Sequence, residues 1–306
     1  MKKEVEIKTF LDHYPHFWNT EITGRYLSYN ELSPQLEKFK KDFLIKEIGR
    51  SFLNVPIHSI RIGIGPVKIL GWSQMHGNES TTTKALLDLF NLFKQHQKDP
   101  EVKMILERCT FLVIPMLNPD GAARYTRENV NKVDLNRDAH DQKEVESKVL
   151  RQCYEEFKPD FCFNLHDQRT IFSAGDTTNP ATISFLTPAM DPERSLTDSR
   201  LRSMKVIVAM NAVLQKYLPG MIGRYDDAFN INCTGDTFQS LEVPTILFES
   251  GHFPGDYLRE ETRKFMALAI FSGLHSIATG TFRNCEASDY LQIPENHKNF
   301  NDVVLR

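Results

Sequence analysis

Short apolar runs alternate with longer amphipathic stretches along most of the chain. Ile57 to Trp72 is rich in isoleucine and valine and broken by Gly63, Gly65 and Pro66, which reads as two strands joined by a tight turn. Ser80 or Thr81 then caps a helix from Lys84 to about Gln97, with Leu86, Leu87, Leu89, Phe90 and Phe93 as its apolar stripe. The continuous apolar run at 111–116 is typical of a buried strand. Helical spacing at 143–157 precedes strands over Asp160 to Leu165 and Thr182 to Leu186. A helix from Leu196 to Tyr217, a strand from Thr245 to Phe248 and a helix from Arg259 to Ala278 continue the rhythm. Strands alternating with helices predict an α/β sandwich around a mostly parallel sheet.

The two ends differ. Residues 1–50 show roughly helical spacing with a stop at Pro34, which predicts short helices packed on the main body. Residues 281–306 lose the rhythm and read as a surface tail. The expected organisation is an N-terminal helical segment over 1–56, the main domain over 57–280 and the tail over 281–306. In such sheets, ligands bind beyond the carboxyl ends of the strands. The residues leaving the apolar runs there are Trp72 to Glu79, Met116 to Gly121, Leu165 to Gln168 and Phe248 to His252, and they include the unusual polar clusters.

Composition narrows the function classes. The formal net charge of −3 over 306 residues, without a long run of one sign, argues against a broad nucleic-acid surface. No stretch approaches 18 apolar residues, so no membrane span is expected. Glu4, Glu6 and Lys8 break up the start of the chain, so no secretory leader is expected. Cys109, Cys153, Cys162, Cys233 and Cys285 are scattered and odd in number, as expected of reduced thiols in a cytoplasmic protein.

The candidate chemistry lies at the strand exits. His76 and Glu79 supply an imidazole and a carboxylate that zinc accepts, and catalytic zinc takes three protein ligands. In a chain with ten histidines, an H-x-x-E match alone is close to chance. His166 gains meaning as a third ligand on a neighbouring exit, and Glu249, leaving another strand, is placed as a general base beside a metal-activated water. Asn118-Pro-Asp-Gly121 reads as a turn, with Pro fixing φ and Gly supplying positive φ. Asn136 and Arg137 are adjacent donors suited to gripping a carboxylate, whereas Arg124 and Arg127 read by default as surface charges.

Taken in order, these segments resemble the zinc metallocarboxypeptidase family, peptidase M14. That family shows H-x-x-E, then N-P-D-G, an arginine, an N-R pair, a third histidine and a glutamate after a strand. Here they are His76/Glu79, Asn118 to Gly121, Arg127, Asn136/Arg137, His166 and Glu249, within about residues 60–280. The resemblance implies a three-layer α/β/α sandwich whose mixed, mostly parallel sheet has about eight strands. It implies one zinc per chain on His76, Glu79 and His166, with Glu249 as base and Arg127 polarising the scissile carbonyl. Asn136 and Arg137 would hold the free carboxylate of a peptide substrate.

The spacing from Arg127 to Asn136 is similar to that of the cytosolic members. Tyr225 lies where digestive members carry a substrate-closing tyrosine, although Arg-Tyr-Asp-Asp-Ala-Phe matches poorly. Asp167-Gln-Arg169 is unlike the digestive enzymes, and no inhibitory pro-segment is expected within the first 50 residues. The alternative is a zinc-dependent N-acyl-amino-acid deacylase of the aspartoacylase and succinylglutamate desuccinylase type. Those proteins share H-G-N-E and D-L-N-R, here at 76–79 and 134–137, but usually lack the Asp-Gly pair. A catalytically dead binding module would have lost a ligand or the base, and none is lost. A nucleotide site at Gly63-Ile-Gly65 lacks its third glycine.

Overall fold

The computed structural model describes residues 8–300. The stretch 1–7, part of the basis for expecting no leader, and residues 301–306 of the expected tail lie outside them. The strands are β1 (Leu44–Arg50), β2 (Pro56–Ile62), β3 (Val67–Ser73), β4 (Cys109–Ile114), β5 (Phe161–Asp167), β6 (Phe172–Ala174), β7 (Ile183–Leu186), β8 (Ile222–Arg224), β9 (Thr245–Ser250) and β10 (Asn296–Lys298). The helices are α1 (Lys8–Phe17), α2 (Tyr29–Phe39), α3 (Thr81–Gln95), α4 (Pro100–Arg108), α5 (Pro119–Arg124), α6 (Val145–Phe157), α7 (Asp198–Leu214), α8 (Thr234–Ser240) and α9 (Glu260–Thr279).

Among the described residues, an eight-stranded sheet runs in the order β1-β2-β4-β3-β5-β9-β7-β8. The central β4, β3, β5 and β9 are parallel, and β1, β2 and the β7–β9 pairing bring in antiparallel contacts. Strand alternation sorts side chains between the two faces. Phe161, Phe163 and Leu165 of β5, with Ile246 and Phe248 of β9, join the larger core beneath α3, α7 and α9. Cys162 joins Leu70, Trp72, Leu150 and Phe238 in a second core beneath α6 and α8. Helices on both faces make the α/β/α sandwich expected from the sequence.

Four local readings need correction. The strands β2 and β3 do not pair with each other, because β4 lies between them. The Gly63–Gly65 connection instead presses on the α4–β4 junction: a Cβ at Gly65 would stand 2.0 Å from the carbonyl carbon of Arg108. The stretch read as wholly helical before residue 50 contains β1, an edge strand. Its sequence, Leu-Ile-Lys-Glu-Ile-Gly-Arg, is half polar because neither face is fully covered.

The reading of a surface tail is overturned for 281–300. Phe282, Tyr290 and Ile293 are buried, and β10 pairs antiparallel with β6. These apolar residues are spaced too irregularly to give a helix or strand period. Finally, Ser80 does not cap α3 with its side chain; its hydroxyl donates to the Arg25 carbonyl. The amide of Thr81 donates instead to Asp167, 2.9 Å away and next to His166 in sequence. An acid at a helix N-terminus satisfies an orphan donor and favours the dipole.

A buried network ties the N-terminal helices to the body. Asp88 of α3 accepts from Arg263 of α9 at 2.5 and 2.7 Å, from the Tyr14 hydroxyl and from the Asn19 amide. Arg263 also donates to the carbonyls of Asn19 and Ile22.

Candidate active site

His76, Glu79 and His166 meet at the carboxyl edge of the sheet, and all three are buried. The loop carrying His76 and Glu79 follows β3 and is fixed by backbone contact. A Cβ at Gly77 would lie 2.0 Å from the Gly121 carbonyl carbon, so this position requires glycine. Asn118 caps α5 by accepting from Gly121 at 2.8 Å, and its amide donates to the Met75 carbonyl at 3.1 Å. Asp120 accepts from the Ser51 hydroxyl and the Leu53 amide. Asn-Pro-Asp-Gly therefore starts a short helix, with Pro119 at its first turn, and clamps the loop carrying His76 and Glu79. Gly121 is helical there and serves close packing; the positive φ expected of it is not observed.

The three donors converge. Glu79 Oε1 lies 2.8 Å from His76 Nδ1, and Oε2 lies 2.9 Å from His166 Nδ1. The two Nδ1 atoms are 3.1 Å apart. At most one proton fits between two imidazole nitrogens, whereas tetrahedral ligands of zinc stand about 3.3 Å apart. The donor set thus suits a zinc ion better than it suits a closed hydrogen-bond network. His76 Nε2 lies 3.0 Å from Asp134 Oδ1, and a carboxylate at the far nitrogen of a ligating histidine fixes its tautomer and orientation. His166 Nε2 is buried without a partner among the described residues.

Charge balance follows from this packing. Burial pushes the His76 imidazolium down, but the Glu79 charge and the Asp134 bond outweigh it and raise its pKa overall. Burial lowers that of His166 despite its bond to Glu79. Burial also opposes ionisation of Glu79, but the two histidines hold its carboxyl well below the ordinary range. Arg127 brings Nη1 to 3.2 Å from His76 Nδ1 while its Nε donates to Asp134 at 3.0 Å.

Glu249 pairs in register with His166 across β5 and β9, so both side chains leave the same face of the sheet. Its Oε2 is buried and has no partner among the described residues. Burial, then the charges of Glu79 and Asp167, push its pKa well above the usual carboxylate range. A cation among the three donors would oppose those two charges. Tyr225 follows β8, with its ring against Phe172; burial and then the Glu249 charge raise its pKa.

The structure gathers His76, Glu79, Arg127, Asn136, Arg137, His166, Tyr225 and Glu249 along one cleft of about 920 Å³. Asn136 accepts from the Thr234 amide at 3.0 Å, and Arg137 is exposed and donates to the Asn136 carbonyl. Sequence reasoning passed over two residues that organise the site. One is Asp134, which holds both His76 and Arg127; an acid two positions before the Asn-Arg pair was its signal. The other is Asp167, which caps α3 and stands 3.6 Å from Arg259.

Comparisons with known proteins agree with this geometry. The family described as zinc carboxypeptidase, Peptidase M14, matches residues 32–185. Carboxypeptidase SOL1 of Arabidopsis thaliana is 33% identical over 135 residues, 40% of this chain and 27% of that protein. The chain spans only 20–27% of the length of the curated relatives it matches. Among solved structures, a metallo-carboxypeptidase from Burkholderia cenocepacia superposes with a TM-score of 0.67 at 16% identity, covering 84% of this chain and 70% of that one. Carboxypeptidase A from Helicoverpa armigera gives 0.65 at 17% identity, covering 90% and 82%. At such identities the structural likeness establishes the fold. The family match extends over just over half of the sequence, and on that ground this chain belongs to the zinc carboxypeptidase family, Peptidase M14.

Proposed function

We propose that this protein is a zinc-dependent carboxypeptidase that hydrolyses the last peptide bond of a substrate with a free carboxylate. The observation that carries the reading is the convergence of His76, Glu79 and His166 beside an unpartnered carboxyl oxygen of Glu249. His76, Glu79 and His166 would hold the zinc, which when bound acts as a Lewis acid and acidifies water. Asp134 keeps the His76 ring oriented, so that Nδ1 faces the other two donors. Glu249 takes a proton from the attacking water and delivers it to the leaving amine. Arg127 donates to the carbonyl oxygen as negative charge develops there. Asn136 and Arg137 anchor the terminal carboxylate, and Tyr225 closes over the substrate. The buried Cys109, Cys153 and Cys162, free thiols, support a reducing, cytoplasmic setting. Among the described residues no helix is long and apolar enough to cross a membrane.

Arg137 gives a direct test. Arg137→Ala should lower kcat/KM about a hundredfold on peptides with a free terminal carboxylate, the scale of a lost charge-assisted pair. The same peptides amidated at the C-terminus should change less than threefold. Equal losses on both would assign the anchor elsewhere.

A further inference from the structure

Building on the carboxypeptidase reading, we propose that Arg25 and Arg169 form a second anion subsite, which selects peptides carrying carboxylates just upstream of the scissile bond. The arginines of the cleft sort by partner. Arg127 pairs with Asp134, and Arg259 is held by Asp167 and the carbonyls of Ser250 and Gln168. Arg137 is assigned to the terminal carboxylate. Arg25 and Arg169 also line the cleft, and neither has a carboxylate partner among the described residues.

Their placement gives the direction. Arg25 also borders an adjoining cavity of about 460 Å³, lined by Thr170, His252 and Tyr257. Arg169 immediately precedes Thr170, so both arginines serve that end of the cleft. The guanidinium of Arg25 lies 5.3 Å over the Tyr257 ring, which orients the plane without using its N–H groups. Asp256 is the acid of this cavity, and its oxygens already accept from the Glu260 and Thr262 amides and the Thr262 hydroxyl. Asn136 accepts from the Thr234 amide at the start of α8, and neither it nor Arg137 lines that cavity. A peptide anchored on Asn136 and Arg137 and crossing the metal donors runs upstream toward Arg25 and Arg169. Two guanidinium forks match carboxylates, and with Arg25 half-buried and Arg169 exposed the selection is sensitive to salt.

The test uses the zinc-loaded enzyme and three peptides that differ only in the two residues upstream of the scissile bond: Glu-Glu, Gln-Gln or Lys-Lys. The Glu-Glu peptide should be cleaved with at least about tenfold higher kcat/KM than Gln-Gln, with Lys-Lys slowest and the ranking compressed by salt. The Arg25→Ala/Arg169→Ala double variant should lose about tenfold more on Glu-Glu than on Gln-Gln, and Arg169→Glu should shift preference toward Lys-Lys. Equal wild-type rates on Glu-Glu and Gln-Gln, or a preference that survives in the double variant, would overturn the subsite. Dissociation constants of the same peptides for zinc-loaded Glu249→Gln report the ranking without turnover. If wild type cleaves none of the three, the carboxypeptidase reading fails while the subsite is still judged by binding.

Discussion

Glu249→Gln is expected to keep its zinc and to lose about a thousandfold in turnover. A positioned general base contributes roughly 10²–10⁴-fold, and Glu249 lies outside the His76, Glu79 and His166 donor set. Glutamine preserves its volume on β9 and removes only the ability to accept and return a proton. The raised pKa of Glu249 arises from burial and from the charges of Glu79 and Asp167, so the variant also removes a repulsive neighbour of Glu79. Zinc content should accordingly hold or rise, and thermal stability should not fall. Near-wild-type turnover would mean that another group is the base. Loss of the metal together with activity would place Glu249 among the ligands.

The second large effect concerns the fold. Asp88→Ala should destabilise the protein by about 3–5 kcal/mol, the usual consequence of leaving one partner of a buried ion pair uncompensated. Arg263 has no side-chain exposure, and Asp88 supplies its two shortest carboxylate contacts, with the partly exposed Glu260 a third at 2.9 Å. The same substitution strips the Tyr14 hydroxyl and the Asn19 amide of their acceptor, which loosens the N-terminal helices from α3. Replacing both partners, Asp88→Leu with Arg263→Met, should cost less than Asp88→Ala alone, since no buried charge is left behind. Denaturant unfolding measures both. A loss below about 1 kcal/mol for Asp88→Ala would show that the cluster is better hydrated than its burial indicates.

What the sequence disclosed follows from period and order. In Phe-Cys-Phe-Asn-Leu-His, every second residue faces the larger core, while Cys162, Asn164 and His166 share the other face with the site. Buried central strands of this kind stand out as apolar runs. The edge strand β1 is half polar, and β6, β8 and β10 are three residues each, too short for a period to register. The site residues were legible as an ordered set at strand exits. What escaped were contacts across long separations: Asp134 bonds to His76 across 58 positions, and Asp167 caps Thr81 across 86. Asn118-Pro-Asp-Gly was legible as a backbone motif, but its work as a clamp on Gly77 depends on two loops meeting in space.

The most direct test of the zinc carboxypeptidase account is product analysis by mass spectrometry. Zinc-loaded protein would be incubated with a short free-carboxylate peptide, its C-terminal amide and a set of N-acyl amino acids, with and without a chelator. Stepwise loss of single residues from the carboxyl end of the free peptide is expected. The amide and the N-acyl amino acids should change little, and no reaction should occur once the metal is removed. Cleavage confined to the N-acyl amino acids, or peptide cleavage that persists in metal-free protein, would contradict it.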